Sequence, residues 1–149
     1  MAAAEGAAAG NKRPESVLVV VHTVGGLVLL MERADRQGFW QSVTGSLEHD
    51  EDPDAAAARE LVEETGLCAA PDATGVERVY EIYEHWRHRY PEGVTHNREY
   101  EYRLKLTSPV DVQLQPREHV RYEWVPISEA AERVFSWTNR EALEVLLEG

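Results

Sequence analysis

Five consecutive apolar positions, residues 17–21, carry no polar alternation, and such a run predicts a strand over residues 16–22 that is buried on both faces. Gly25 and Gly26 then mark a turn, and residues 27–31 return as a second apolar strand. Residues 39–43 form a third short strand, followed by a polar loop over residues 44–52. Asp52 before Pro53 reads as an N-cap with proline in the first helical position. The Ala- and Glu-rich stretch over residues 53–65 predicts a helix, which Gly66 stops. Further strands are expected over residues 76–86, 97–106 and 120–126, and a short helix after Ser128. Thr138 and Glu141 have the spacing of a capping box, which would start a last helix carrying Ala142, Val145 and Leu146 on one side. Strands that cluster, with only three helices among them, predict an α+β fold with a mixed sheet.

The chain has 149 residues, the size of one domain, and residues 1–13 are Ala/Gly-rich without periodicity. They are expected to form a disordered tail, leaving a single domain over residues 14–149. Lys plus Arg number 15 against 27 Asp plus Glu, a net charge of −12 that excludes general electrostatic binding to nucleic acid or to acidic lipid. An acidic protein that takes an anionic substrate needs a cation between the two, and a divalent metal ion is the usual one. The single cysteine, Cys68, cannot form an internal disulfide. No apolar run approaches the ~20 residues of a membrane span, and Glu5 with no basic residue before it makes the start a poor signal peptide. These features predict a cytoplasmic protein, and nothing in the sequence calls for an obligate protein partner.

The chemistry concentrates on the helix over residues 53–65. At about 100° per residue, Glu60, Glu63 and Glu64 share one face, while Ala55, Ala58, Leu61 and Val62 gather on the far side. That far side is the expected packing face. Like charges at these spacings cost the helix about 0.2–0.5 kcal/mol per pair. A solvated acidic face would be the plain reading of two neighbouring glutamates. Here, however, Glu48 and Glu51 precede the helix and Arg59 lies inside the cluster. Oxygen donors of this kind suit Mg²⁺ or Mn²⁺ rather than zinc.

Gly45, Glu51 and the run Arg59, Glu60, Leu61, Glu63, Glu64, Gly66, Leu67 fit the pattern G-x5-E-x7-R-E-U-x-E-E-x-G-U, where U is apolar. This resembles the signature of the Nudix hydrolases. The resemblance implies the Nudix fold, a mixed sheet between helices, and Mg²⁺-dependent attack of water on a phosphoanhydride, with Mn²⁺ able to substitute. It also implies metal ligation by Glu60, Glu63 and Glu64, with Glu51 in support and Arg59 orienting the carboxylates. Gly45 would let its loop approach closely. Asp50 stands where many members have glycine, a position a left-handed Asp tolerates. The catalytic base is either Glu60 or Glu118, and Glu118 is also a candidate metal ligand; a solvent-exposed loop glutamate is the alternative for Glu118.

Outside the signature, several segments resemble the bacterial dihydroneopterin triphosphate pyrophosphohydrolases. They are the KRP at 12–14, FWQSVTGS at 39–46, RHRY at 87–90 with Asn97, Glu118 and His119, and SW at 136–137 with Asn139. That resemblance implies a small-molecule triphosphate substrate cut between its α and β phosphates. Arg87 and Arg89 are assigned to the triphosphate tail because guanidinium forks match phosphate oxygens, with ion pairing to nearby glutamates as the alternative. Trp40 and Trp137 could stack on a flat pterin, and Gln41 and Asn139 could read its edge; core packing competes for each tryptophan. A (d)NTP pyrophosphatase or a dinucleoside polyphosphate hydrolase is the main rival, and Tyr83 resembles the downstream tyrosine of the latter. A catalytically dead, ligand-binding Nudix domain is disfavoured, because every signature carboxylate is present.

Overall fold

The computed structural model describes residues 10–149. The first apolar run becomes β1 (Glu15–Thr23), followed by β2 (Leu27–Arg33), β3 (Trp40–Gln41) and β4 (Val43–Ser46). Helix α1 (Pro53–Thr65) comes next, then β5 (Asp72–Glu81), a 3-10 turn (Glu84–Arg89), β6 (His96–Leu106) and β7 (His119–Pro126). Two helices, α2 (Ile127–Arg133) and α3 (Trp137–Glu148), complete the chain.

The seven strands among the described residues form one mixed sheet. β1 pairs in parallel with β6 along its whole length and antiparallel with β4, while β5 pairs antiparallel with β6. β2 carries β7 on one edge and touches β3 at Met31 and Glu32. The alternation along β1 divides the core in two. Val17, Val19 and Val21 pack with Ala56, Ala57 and Leu61 of α1. Leu18 and Val20 pack with Ala130 and Ala131 of α2 and Ala142 and Leu143 of α3. A strand covered on both faces has no use for polar alternation, and this accounts for the continuous apolar run. The expected α+β sandwich is the fold observed.

Helix α1 begins where its capping signals place it. The Asp52 carboxylate accepts from the Ala55 amide at 2.8 Å, and Gly66 closes the helix at φ 78°. Asp50 adopts φ 64°, the left-handed geometry expected of it.

Four expectations are corrected. The single strand over residues 39–43 is interrupted at Ser42, which Asn139 holds by two hydrogen bonds of 2.9 and 3.0 Å. The strand expected over residues 76–86 ends at Glu81, and Tyr83 and Trp86 turn instead to pack near Phe135. Helix α3 is capped by Ser136, whose hydroxyl accepts from the Asn139 amide at 3.1 Å, not by Thr138, which is buried. Finally, α1 packs through Ala56, Ala57, Leu61, Glu64 and Thr65, while Val62 stays 43% exposed. Of the expected tail, residues 1–9 lie outside the described residues. Residues 10–13 run along the 3-10 turn, with the Gly10 amide donating to the His88 carbonyl at 2.8 Å and the Lys12 amide to the Arg89 carbonyl at 3.0 Å.

Candidate active site

The rotation of α1 turns two carboxylates toward the sheet rather than away from it. Glu64 is only 4% exposed and accepts from the Thr44 amide at 3.4 Å. The Glu60 carboxyl lies directly against Gly45, where a Cβ would overlap it. The signature glycine is therefore required by a close approach. Glu60 and Glu64 are close enough for each carboxyl to act on the other, an arrangement of two carboxylates that favours holding a proton. Burial pushes the Glu60 carboxyl up to about 7 despite the guanidinium of Arg59 beside it. Burial and the neighbouring Glu60 hold Glu64 well above the ordinary carboxylate range.

Arg59 organises the rest of the cluster. Its Nε and Nη2 grip Glu51 at 2.8 and 2.9 Å, its Nη1 reaches Glu60 at 3.0 Å and Glu63 at 3.1 Å, and Nη2 also donates to the Ser46 carbonyl at 3.0 Å. The same grip holds the Glu51 carboxyl below its ordinary range. Among the described residues, no three Asp, Glu, His or Cys side chains converge as a ligand set, because Arg59 occupies the ground between Glu51, Glu60 and Glu63.

This cluster opens onto a cavity of about 370 Å³. It is lined by Glu60, Glu64 and Glu118, by the cations Lys12, Arg33 and Arg89, and by the aromatic rings of Tyr83, Trp86, Phe135 and Trp137. An acid cluster, a cationic stretch and flat apolar surface in one cavity suit an anionic ligand that carries a ring.

A NUDIX domain model matches residues 12–146. The chain belongs to the NUDIX family. It is 40% identical over 139 residues to the dihydroneopterin triphosphate diphosphatase of Escherichia coli K12, covering 89% of this chain and 91% of that protein. It is 36% identical over 142 residues to the Haemophilus influenzae protein of the same name, covering 91% and 89%. The solved structure of the E. coli dihydroneopterin triphosphate pyrophosphohydrolase superposes with a TM-score of 0.85 at 38% identity, over 91% of this chain and 95% of that one. The expected fold and enzyme class are those of this Nudix hydrolase. No helix among the described residues is long and apolar enough to cross a membrane.

The remaining residues singled out in the sequence divide between the cavity and the scaffold. Gln41, Arg89 and Trp137 line the cavity, and Trp137 is 49% exposed. Trp40 does not; it packs in the α2–α3 core under the guanidinium of Arg133, 4.4 Å from its ring. Asn139 is buried and serves Ser42. Arg87 is absent from the cavity lining and donates to Glu81 at 2.6 Å and to the Ile82 carbonyl at 3.0 Å. Two cations that sequence reasoning passed over, Lys12 and Arg33, take its place. Arg33 lay just past the end of an expected strand with no local signal, and Lys12, though part of the KRP at 12–14, stood in a stretch read as tail, so neither was assigned to the site. Burial, reinforced by Arg89 and Arg33, lowers the Lys12 ammonium below its ordinary value.

The raised carboxyls make a pH prediction. Glu60 and Glu99 titrate at about 7 in the folded protein, and Glu64 lies well above its ordinary 4.5. His119, lowered to about 4, and His22 and His85, also lowered by burial, oppose this trend chiefly below their ordinary 6.5, and their opposition fades above about pH 7. From about pH 7 to about pH 8 the folded state holds more protons than the unfolded chain, and stability falls as pH rises. Thermal unfolding with a chelator present is expected to lose roughly 5 °C or more across that window. Glu60→Gln should flatten the slope. A Tm that rises with pH there would overturn the protonated-pair reading.

Proposed function

We propose that this Nudix hydrolase cleaves the α–β phosphoanhydride of dihydroneopterin triphosphate in the cytoplasm, giving dihydroneopterin monophosphate and pyrophosphate, with Mg²⁺ as its metal ion and Mn²⁺ able to replace it. The observation that carries the reading is the single cavity in which the signature carboxylates, a cationic stretch and an aromatic wall meet. The substrate comes from the two relatives of that name, which match this chain nearly end to end.

The donor set fits a hard divalent cation. It offers oxygen only, and the apposed Glu60 and Glu64 need either a shared proton or a cation to stay together. Glu60, Glu63 and Glu64 would hold the ion, with Glu51 and Glu118 in support. When bound, such an ion neutralises charge on the phosphate oxygens and makes bound water more acidic. Arg59 keeps Glu51 and Glu60 aimed, and Gly45 gives Glu60 room. Either Glu60 or the exposed Glu118 takes the proton from the attacking water; both line the cavity. Lys12, Arg33 and Arg89 receive the triphosphate, and the part that departs is the more highly charged. Trp137 offers a face to the ring.

Hydrolysis in ¹⁸O-water with mass spectrometry of both products tests the bond. Pyrophosphate and the monophosphate are expected, whereas orthophosphate with a diphosphate would overturn the site reading. Lys12→Ala and Arg89→Ala are expected to raise KM for the triphosphate about tenfold or more, since each removes a charge-assisted phosphate contact. Arg87→Ala should change it little. Tyr83, which lines the cavity, supports a second reading as a dinucleoside polyphosphate hydrolase. Diadenosine tetraphosphate and dATP assayed in parallel separate the two.

A further inference from the structure

Away from the carboxylate cluster, the cavity wall holds a charge that the chemistry of the signature does not use. Glu99 stands on β6, beside Ser16 of β1 in the parallel ladder, and both line the cavity with Tyr80 and Thr138. Glu99 is only 5% exposed, and its Oε1 has no hydrogen-bond partner. The nearest natural counter-ion is Arg78, opposite it on β5, but Arg78 is already taken. It donates to Glu101 at 2.7 Å and to Glu141 at 2.7 Å. Thr138 steadies the Glu99 carboxylate and Arg78 acts on it more weakly, yet burial still pushes it up to about 7. A buried carboxylate left short of donors costs free energy, which a ligand with matching N–H groups would recover.

We propose that Glu99 is a specificity-determining residue, accepting two adjacent N–H donors from the heterocycle of the substrate: a ring amide N–H and the exocyclic amino group next to it. An ionised carboxylate has acceptors only, in the two-pronged geometry this edge requires. Pterin (2-amino-4-oxo) and guanine (2-amino-6-oxo) both present that edge. Adenine sets a ring acceptor beside its amino group and cannot satisfy both oxygens. A site built for such a pair discriminates strongly against rings that lack it, because its own groups are then left unpaired. The inference rests on the reading of this cavity as the triphosphate site, and it states which rings that site accepts.

The test is kcat/KM for dihydroneopterin triphosphate, dGTP and dATP, by pyrophosphate release, in wild type, Glu99→Gln and Glu99→Asp. Metal-free binding of neopterin, guanosine and adenosine, followed by titration calorimetry, runs alongside. Glu99→Gln keeps the shape but opposes a donor to a donor; Glu99→Asp keeps the charge and withdraws it by one methylene. Both are expected to lower kcat/KM tenfold or more for dihydroneopterin triphosphate and dGTP, chiefly through KM, with a much smaller change for dATP. Neopterin and guanosine binding should weaken in step. Equal losses on all three substrates, or no loss on the first two, would overturn the assignment. A wild type that prefers dGTP to dihydroneopterin triphosphate would overturn the proposed substrate alone, because the dGTP-to-dATP ratio still judges Glu99.

Discussion

Glu64→Gln is expected to lower turnover at saturating Mg²⁺ by on the order of 10³-fold, equivalent to several kcal/mol of lost transition-state stabilisation. The change keeps volume and the capacity to accept from the Thr44 amide, so the fold should persist. What it removes is charge at a position 4% exposed, in contact with a second carboxyl. Without metal, that charge is a burden, and the variant should melt at a higher temperature than wild type near pH 8. Loss of activity with gain of stability is the signature of a carboxylate held in place for a cation. Steady-state kinetics across a Mg²⁺ titration, with thermal unfolding in chelator, checks both halves. Near-wild-type turnover would remove Glu64 from the metal site.

Arg59→Ala should cost both properties together. Its guanidinium makes two bonds to Glu51, one each to Glu60 and Glu63, and one to the Ser46 carbonyl. The Glu51 and Glu60 side chains are 13% and 12% exposed, so losing Arg59 leaves two largely buried carboxylates without the cation they share. Breaking a buried pair costs about 3–5 kcal/mol, and partial exposure here brings the expectation to about 2–4 kcal/mol. Activity should fall about a hundredfold, as for loss of an outer residue that orients metal ligands. The Mg²⁺ concentration needed for half-maximal rate should rise as well, which a purely structural role would not produce. Arg59→Lys should recover little, because an ammonium cannot replace the fork that grips Glu51. Urea unfolding and a Mg²⁺ titration of kcat measure these effects. Activity within tenfold of wild type would mean that the carboxylates orient themselves.

The sequence alone determined the parts of this protein that are set by near neighbours. The cap at Asp52, the stop at Gly66 and the left-handed Asp50 follow from local backbone chemistry, and all three stand where the residue types put them. The apolar run of β1 announced a strand with two covered faces, because periodicity reports burial directly. The spacing from Gly45 to Leu67 identified the family, since a helix turns fixed spacing into a fixed constellation of carboxylates.

Only the tertiary structure decided which way that constellation faces and what lies opposite it. The wheel put the packing face on Ala58 and Val62, yet α1 settles on Ala56, Ala57 and Glu64. Alanine is so small that either side can pack, and the Glu60 carboxyl fits against the backbone of Gly45 some fifteen residues earlier. Trp40 and Asn139 went to the scaffold because their partners, Arg133 and Ser42, come from distant segments. Lys12, Arg33 and Glu99 entered the cavity for the same reason. Each lies on or beside a strand with a sheet neighbour remote in sequence, and the order of strands β2, β1, β6 and β5 brings them together. Local pattern specifies which faces are apolar, whereas long-range pairing specifies what each face meets.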